Sequence, residues 1–202
     1  MAARPTLFFD LGGVILTNAW DHAQRREVAA RFGLDAAEFE AKHASAGPAL
    51  ETGALSTDAY LDATVFDRPR GFSRGAFWEA MRGCSGPLPE SLSLLGELAA
   101  AGKARLATLN NEGRELNRYR IERFELARYF QAFCSSCYLG ERKPGAEIYR
   151  RALGIMQAAP CDCLFVDDRE ENLAAPRELG MASVHFAGAA QLRQELRARG
   201  LL

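Results

Sequence analysis

The chain of 202 residues lacks the features that mark several specialised classes of protein. It has no run of about 18 consecutive apolar residues, so no membrane-spanning helix is predicted. Its 25 Lys and Arg residues are balanced by 26 Asp and Glu residues, and no run of five or more charges of one sign occurs. The basic surface that nucleic-acid binding needs is therefore missing. We expect neither a membrane nor a nucleic-acid partner.

Cysteine is also scarce, with five residues in the chain. An odd number of cysteines in a chain long enough to bury a core without cross-links favours reduced thiols. The spacings of Cys134 with Cys137 and of Cys161 with Cys163 do not form the usual two-pair zinc pattern, so we expect buried thiols. The apolar run after Arg4 is interrupted by Asp10 and is too short for a secretion signal. These features predict a cytoplasmic protein, as a monomer or weak homodimer.

The composition is that of an ordinary folded domain, with 48% hydrophobic and 25% charged residues. Thr6 to Phe9 is a short apolar run followed by glycines, which predicts a buried strand and a turn. From about Asn18 to about Gly86 the pattern is helical and contains no strand candidate. Within this part, Ser56-Thr57 and Ser73 stand where helix N-caps are expected.

After Gly86-Pro87 the predicted elements alternate between helix and strand. The predicted helices cover 90–101, 112–124, 146–153, 171–179 and 190–199, and the predicted strands cover 104–109, 133–138, 163–166 and 182–186. Such alternation specifies right-handed crossovers and a parallel sheet covered on both faces. The sequence therefore predicts an α/β fold with a Rossmann-like parallel sheet from residues 1–17 and 87–202. Residues 18–86 form an inserted, all-helical cap in this prediction.

Polar residues follow the ends of four predicted strands, where parallel sheets bind their ligands. They are Asp10, the Leu109-Asn110-Asn111 stretch, Lys143 in the turn after the third strand, and Asp167-Asp168. Three converging carboxylates repel one another unless a cation lies between them, and oxygen ligands suit Mg²⁺. A lysine beside them suits a phosphate group. From the residues alone, Asp167-Asp168 as helix-capping acids and Lys143 as a surface lysine remain alternatives.

These residues resemble the motifs of the haloacid dehalogenase superfamily. The matching stretches are Phe8-Phe9-Asp10-Leu11-Gly12-Gly13-Val14, Arg142-Lys143-Pro144, and Leu164-Phe165-Val166-Asp167-Asp168 with Asn172. The resemblance extends over essentially the whole chain, including the order of the motifs and a helical cap after the first. Within the superfamily, the chain is most similar to small sugar-phosphate phosphatases and to the N-terminal domain of soluble epoxide hydrolases.

The resemblance implies a Mg²⁺-dependent phosphatase that acts on a small organic phosphate through an aspartyl-phosphate intermediate. Asp10 would be the nucleophile, and Lys143 would stabilise the phosphoryl oxygens. Mg²⁺ would be held by Asp10, by the backbone carbonyl of Gly12 and by Asp168, with Asp167 assisting indirectly. Leu109 and Asn110 stand with Lys143 at the phosphate-binding positions. The cap would exclude phosphoproteins and nucleic acid and would determine which phosphate is cleaved.

Two positions depart from the superfamily pattern. An acid that protonates the leaving oxygen usually stands two residues after the nucleophile, where this chain has Gly12. A hydroxyl residue usually precedes the asparagine of the second motif, where this chain reads Thr108-Leu109-Asn110; if Asn110 sets the register, which we favour, Leu109 takes the hydroxyl's place. The alternatives are therefore a non-catalytic protein that binds a phospho-ligand and, with less support, a metal-independent 2-haloacid dehalogenase.

Side chains of the predicted cap are assigned mostly to packing. We expect His22 and His43 at the surface or in the cap core, with contact to substrate as the alternative. The aromatic residues Trp20, Trp78, Phe72 and Phe77 are expected to pack together within the cap.

Overall fold

A computed structural model describes residues 4–202. The strands are β1 (Thr6–Phe9), β2 (Arg105–Asn110), β3 (Ala132–Ser135), β4 (Cys163–Asp167) and β5 (Ala182–His185). They form one sheet in the order β3-β2-β1-β4-β5, and all four neighbouring pairs are parallel. The predicted α/β fold with a parallel sheet is confirmed. The central position of β1 places Asp10, which follows it, in the middle of the sheet's carboxyl edge.

Ten α-helices accompany the sheet in the described part of the chain. They are α1 (His22–Arg31), α2 (Ala36–Glu51), α3 (Thr57–Thr64), α4 (Arg74–Gly83), α5 (Pro89–Ala101), α6 (Arg114–Arg123), α7 (Ser136–Leu139), α8 (Ala146–Met156), α9 (Ala174–Glu178) and α10 (Ala189–Ala198). The Ser56 and Ser73 side chains cap α3 and α4 by accepting hydrogen bonds from backbone N–H groups three residues on, as predicted. Short 3₁₀ turns lie at Leu126–Arg128, Pro160–Asp162 and Glu170–Asn172.

The sheet is covered by apolar side chains on both faces. Phe9 belongs to a cluster with Leu98 of α5 and Leu196 of α10, whereas its neighbour Phe8 belongs to a cluster on the opposite face with Ile148 of α8. Successive strand residues point to opposite faces, so a strand buried on both sides is apolar throughout. This explains why the strands appear in the sequence as continuous apolar runs rather than alternating ones.

Residues 18–86, here called the helical segment, contain α1 to α4 and a hydrophobic cluster of their own. Phe39, Tyr60 and Phe77 are almost completely buried in it. Trp20, Phe72 and Trp78 are partly buried against the same cluster, as expected of the aromatic set. The first three residues of the predicted 1–17 segment lie outside the described residues.

The two ends of the helical segment meet beside the sheet. The Thr17 N–H donates to the Gly86 carbonyl at 2.8 Å, and the Thr17 hydroxyl donates to the Cys84 carbonyl at 2.9 Å. The Gly86 N–H in turn donates to the Thr17 hydroxyl at 2.8 Å. The chain therefore leaves the sheet and returns to it at one place.

The predicted strand over 133–138 is wrong in its second half. β3 ends at Ser135, and residues 136–139 form the short helix α7, which ends at Gly140 with φ of 70°. The Ser136 hydroxyl donates to the carbonyl of Glu51 and accepts from the N–H of Glu112. These bonds to the helical segment and to the loop after β2 hold the chain away from the sheet.

Other predicted boundaries differ from the structure by a few residues; for example, the helix predicted over 146–153 continues to Met156. The helix predicted over 112–124 begins at Arg114, because Glu112 is buried in an ion pair with Arg120 before the helix starts. The helix predicted over 171–179 is divided into the turn Glu170–Asn172 and the helix α9.

The cysteines and the helix lengths bear on the remaining expectations. Cys134, Cys137 and Cys163 are buried free thiols as expected, while Cys84 is partly exposed and Cys161 is exposed. Over residues 4–202, every helix is too short or too polar to cross a membrane.

Candidate active site

Asp10, Lys143 and Asp167 form a buried charge cluster at the carboxyl edge of the sheet. Asp10 follows β1, Asp167 is the last residue of β4, and Lys143 lies in the turn between α7 and α8. The Lys143 Nζ lies 2.9 Å from Asp10 Oδ1 and 2.6 Å from Asp167 Oδ2. The parallel sheet thus brings together three of the residues singled out in the sequence, and Lys143 is not a surface lysine.

Asp167 is held in place by further hydrogen bonds. The Asn172 amide donates to both of its carboxylate oxygens, at 3.0 and 3.1 Å, and the Arg169 N–H donates to Oδ1 at 2.9 Å. The Asp167 side chain has no exposed surface. The Asp167 carboxylate therefore orients the Lys143 ammonium from the protein interior, whereas Asp10 lies nearer to the solvent-accessible side of the cluster.

Asp168 completes a group of three carboxylates. One oxygen from each of Asp10, Asp167 and Asp168 lies within 4.8 Å of the other two. Asp168 Oδ1 is buried and has no hydrogen-bond partner. Such an atom needs a positively charged or hydrogen-bonding partner, and an all-oxygen donor set is the kind that Mg²⁺ prefers. Among the described residues, these three are the candidates to hold a cation.

Gly13 makes room for Asp168. Its φ of 73° is a conformation that glycine adopts at little cost. A Cβ at this position would lie 2.1 Å from Asp168 Oδ2, so any side chain would displace the carboxylate. The second glycine of the Gly12-Gly13 turn is therefore required by the site itself.

The burial of this cluster changes its titration. Burial raises the pKa of Asp10 to about 6; Lys143 opposes the shift and Asp167 adds to it. Burial likewise raises the pKa of Asp168, with repulsion from Asp167 as the next cause. Burial alone would lower the pKa of Lys143, but the carboxylates of Asp10 and Asp167 raise it overall. The lysine is therefore a permanent cation within the site.

Asn111 fixes the backbone of Lys143. Its amide oxygen accepts from the Lys143 N–H at 2.9 Å, and its amide nitrogen donates to the Lys143 carbonyl at 3.0 Å. This pair of bonds joins the loop after β2 to the turn that carries the lysine. The sequence pattern places Asn111 after the second strand but does not indicate that it positions the lysine.

The pairing of β1 with β2 decides the register of the second motif. Phe9 lies beside Thr108, so Thr108 points to the face opposite Asp10, and its hydroxyl is buried without a partner. Leu109 takes the position beside Asp10, as the favoured register requires. Its side chain is fully buried in the cluster around Phe8.

The side chains of Leu109 and Asn110 do not line the cavity above Asp10. The Asn110 amide instead bonds to Asn117 and Ser135 beneath the site. Any contact of these two residues with phosphate would have to come from the backbone.

A cavity of about 280 Å³ lies between the carboxyl edge of the sheet and the helical segment. Asp10, Lys143 and Asn111 line its floor, and Trp20, His43 and Leu50 line it from the helical segment. His43 lines this cavity and also packs against Tyr60 of the aromatic cluster, which favours the alternative of contact with a substrate, whereas His22 is exposed. The position of His43 depends on how α2 packs over the sheet, which no local pattern encodes.

His43 is connected to the aromatic cluster by a short hydrogen-bond chain. The Trp20 indole N–H donates to the Tyr60 hydroxyl at 3.0 Å, which lies 2.9 Å from His43 Nδ1. Because the indole can only donate, the tyrosine proton is free to point to His43. Burial lowers the pKa of His43 to about 4, and nearby Arg25 acts in the same direction. His43 is therefore uncharged at neutral pH.

Two ion pairs join the helical segment to the loops around the charge cluster. Arg142 lies 2.6 Å from Glu51, and Arg169 lies 2.6 Å from Asp21. A third pair, Arg120 with Glu112, is nearly buried in the cavity wall, and Arg120 also donates to the Thr17 carbonyl where the segment begins. The cations around the cavity are thus already engaged by carboxylates.

Comparison of the sequence with known families agrees with this geometry. Residues 5–180 match the sequence profile of haloacid dehalogenase-like hydrolases. The chain belongs to this family of hydrolases. The match includes both the strands that carry the charge cluster and the helical segment between them.

Relatives of the haloacid dehalogenase-like hydrolase include proteins with named activities. Flavin mononucleotide hydrolase 1 of Arabidopsis thaliana is 30% identical over 200 residues, covering 98% of this chain and 78% of the relative. The sesquiterpene phosphatase astK of Aspergillus oryzae is 30% identical over 115 residues, covering 57% of this chain and 58% of the relative.

A solved structure supports the family fold independently. A family enzyme of Bacteroides thetaiotaomicron, in complex with magnesium and inorganic phosphate, superposes with a TM-score of 0.78 at 21% identity. The superposition covers 90% of this chain and 93% of the other. At this identity the likeness concerns the fold alone.

Proposed function

We propose that this hydrolase is a Mg²⁺-dependent phosphatase of small organic phosphates. The observation that carries the proposal is the Lys143 ammonium, enclosed between Asp10 and Asp167 in a group of carboxylates that also includes Asp168 with its unpartnered Oδ1. A carboxylate that shares a site with a fixed cation and further oxygen ligands is suited to attack an anionic phosphoryl group. The names of the two relatives, a flavin mononucleotide hydrolase and a phosphatase, support the same substrate class.

The donor set fits Mg²⁺. Asp10, Asp168 and the Gly12 backbone carbonyl would hold the ion, with Asp167 acting through Lys143 or a water molecule. When bound, the ion would neutralise negative charge on the Asp10 carboxylate and on the phosphoryl oxygens. The unpartnered Asp168 Oδ1 supports this assignment. The magnesium and phosphate bound to the similar Bacteroides enzyme support it as well.

The residues of the chain perform the steps of the reaction. An Asp10 carboxylate oxygen attacks phosphorus, and the bond from phosphorus to the ester oxygen breaks with its electron pair on the leaving group. Lys143 stabilises the charge on the equatorial oxygens as the aspartyl-phosphate forms. Water then attacks phosphorus, which releases phosphate and restores the Asp10 carboxylate.

The helical segment is proposed as the cap of this site, with residues 18–86 as the cap and 1–17 and 87–202 as the α/β domain. It lies over Asp10 and contributes Trp20, His43 and Leu50 to the cavity wall. A cavity of about 280 Å³ suits a metabolite or the phosphate end of a larger molecule. Substitutions in these wall residues should change which phosphate is cleaved and leave Mg²⁺ affinity nearly unchanged.

The proposal is tested by assaying a panel of phosphate monoesters with and without Mg²⁺. Because Asp10 forms the covalent bond, we expect Asp10→Asn to lower turnover by at least about 10³-fold. Asp62→Asn, an exposed position of α3, is the matched control and should retain activity. Full activity of Asp10→Asn would overturn the nucleophile assignment. Halide release from a 2-haloacid in EDTA, without phosphatase activity, would instead favour the dehalogenase.

A further inference from the structure

The space that a side chain at position 12 would occupy is filled by Asn18. A Cβ built on Gly12 would lie 2.7 Å from Asn18 Oδ1, closer than real Cβ contacts allow. Asn18 lies where the chain enters the helical segment, and both residues line the cavity that contains Asp10. The carboxamide of Asn18 thus takes the space beside Gly12 that the side chain of a larger residue at position 12 would fill.

The Asn18 carboxamide is free to act on a ligand. The hydrogen bonds among residues 4–202 do not include one made by this side chain, although it is only partly exposed. By contrast, the arginines of the cavity wall are committed to acidic partners, namely Arg25 to Glu40, Arg120 to Glu112, Arg142 to Glu51 and Arg169 to Asp21. The Asn18 carboxamide is therefore an uncommitted donor in the cavity that contains Asp10.

The direction of phosphoryl transfer places a ligand atom near this amide. The attacking and leaving oxygens lie roughly in line through phosphorus. Since Asp10 attacks from the edge of the sheet, the leaving oxygen must lie on the far side of phosphorus, in the cavity. Lys143 is on the near side, where it contacts Asp10 and Asp167. Gly12 has no side chain to offer the leaving oxygen, and the Asn18 carboxamide fills the space in this cavity that such a side chain would take.

We infer that the Asn18 carboxamide donates a hydrogen bond to the leaving-group oxygen, a role that rests on the phosphatase activity proposed above. As the ester bond breaks, the electron pair moves to this oxygen, and the amide N–H stabilises the charge that develops there. An amide cannot release a proton at neutral pH, so the oxygen takes its proton from water. The site therefore favours phosphates whose leaving groups are stable as anions, and Asn18 extends its range to more basic ones.

The test is a series of para-substituted phenyl phosphates, from p-nitrophenyl to p-methoxyphenyl, assayed at saturating Mg²⁺. The series changes the basicity of the leaving oxygen with little change in size. We expect Asn18→Ala to lower kcat/KM about 10²-fold for p-methoxyphenyl phosphate and less than about 5-fold for p-nitrophenyl phosphate. The plot of log kcat/KM against the pKa of the phenol becomes steeper. A residue that only supports the fold would lower all rates equally.

Gly12→Ala supplies an independent variant that leaves Asn18 itself unchanged. Its new Cβ must displace the carboxamide, so the same steepening is expected. Gly154→Ala, a helical glycine with open space around it, is the matched control and should keep the wild-type slope. Equal slopes of log kcat/KM against the pKa of the phenol for Asn18→Ala and the wild type would overturn the role of Asn18 but not the phosphatase proposal. Absence of wild-type turnover on this series and on the wider panel would overturn the phosphatase proposal and the role of Asn18 with it.

Discussion

Lys143 is the residue on which the charge balance of the site depends. Its side chain is 2% exposed, and the Asp167 carboxylate beside it is completely buried. Two buried carboxylates without a cation between them repel each other and lose their hydration, so one of them must take up a proton. The lysine therefore has a structural role that is separate from any contact with phosphate.

We expect Lys143→Met to lower the free energy of unfolding by about 3–5 kcal/mol, because it leaves buried carboxylates without their partner. Urea unfolding at pH 7 in EDTA measures this change. The control, Lys103→Met, removes an exposed lysine and should change stability by less than about 0.5 kcal/mol. Equal stabilities of the two variants would show that the cluster does not depend on the lysine charge.

The residues of the site could be predicted from the sequence only where they follow strands. Asp10, Asp167 and Asp168 stand directly after or at the end of apolar runs, so the rule for parallel sheets brought them together correctly. Asn18 and His43 could not be found in this way. Asn18 lies where the chain enters the helical segment, and His43 reaches the cavity because α2 packs over the sheet. Neither position has a regular spacing from the strands in the sequence.

At the scale of elements, the contact between α2 and α7 shows how closely the helical segment approaches the sheet. Gly53, which follows α2, has a φ of 74°, and a Cβ on it would lie 2.2 Å from the Cys137 carbonyl oxygen. The contact lies beside the Ser136 hydroxyl bond to Glu51. No residue larger than glycine fits between these two backbones.

Gly53→Ala should therefore lower the free energy of unfolding by more than the strain of its left-handed backbone conformation alone. Gly33→Ala is the matched control, because Gly33 has a similar φ of 63° and no atom within 4 Å of the new Cβ. We expect Gly33→Ala to lower the free energy of unfolding by about 1 kcal/mol and Gly53→Ala by about 2 kcal/mol more. Urea unfolding of both variants gives the difference, and equal losses would mean that the approach is easily relaxed.

The helices and strands could be predicted from the sequence where they are long and where specific residues mark their ends. The helices α3 and α4 follow the serines that the sequence indicates as N-caps, and α5 ends at Ala101, the end of the predicted range 90–101. The sequence predicts a strand where the four-residue helix α7 lies, because residues 133–138 contain two aromatic residues and two cysteines and are too few to show a period. Its conformation depends on hydrogen bonds from Ser136 to distant parts of the chain.

The stability of the whole molecule toward acid depends partly on His43. Burial lowers its pKa to about 4, whereas an unfolded histidine titrates near 6.5. Below pH 6.5 the unfolded state binds a proton that the folded state does not, so this contribution to stability is present above pH 6.5 and is lost as the pH falls toward 4. Arg25, Glu40, Asp21 and Arg142 are the charged groups around the ring.

We expect the free energy of unfolding to decrease between pH 7 and pH 4.5 by about 2 kcal/mol more in the wild type than in His43→Asn. The asparagine oxygen can still accept the Tyr60 hydrogen bond. His22→Asn removes an exposed histidine from the same segment and should keep the wild-type dependence. Urea unfolding at the two pH values decides the matter; an identical loss in the wild type and in His43→Asn would contradict the assignment.

The hydrogen bonds between Thr17 and Gly86 have a consequence for how such a molecule can diverge. The two residues are 69 positions apart in the chain, yet they are in direct contact beside the sheet. Because the helical segment begins and ends at this one contact, its length has little effect on the entropy cost of bringing its two ends together. We propose that this contact makes residues 18–86 an exchangeable module. Proteins that descend from one ancestor would then differ in the segment at this contact and in substrate, while they keep the same residues at the carboxyl edge of the sheet.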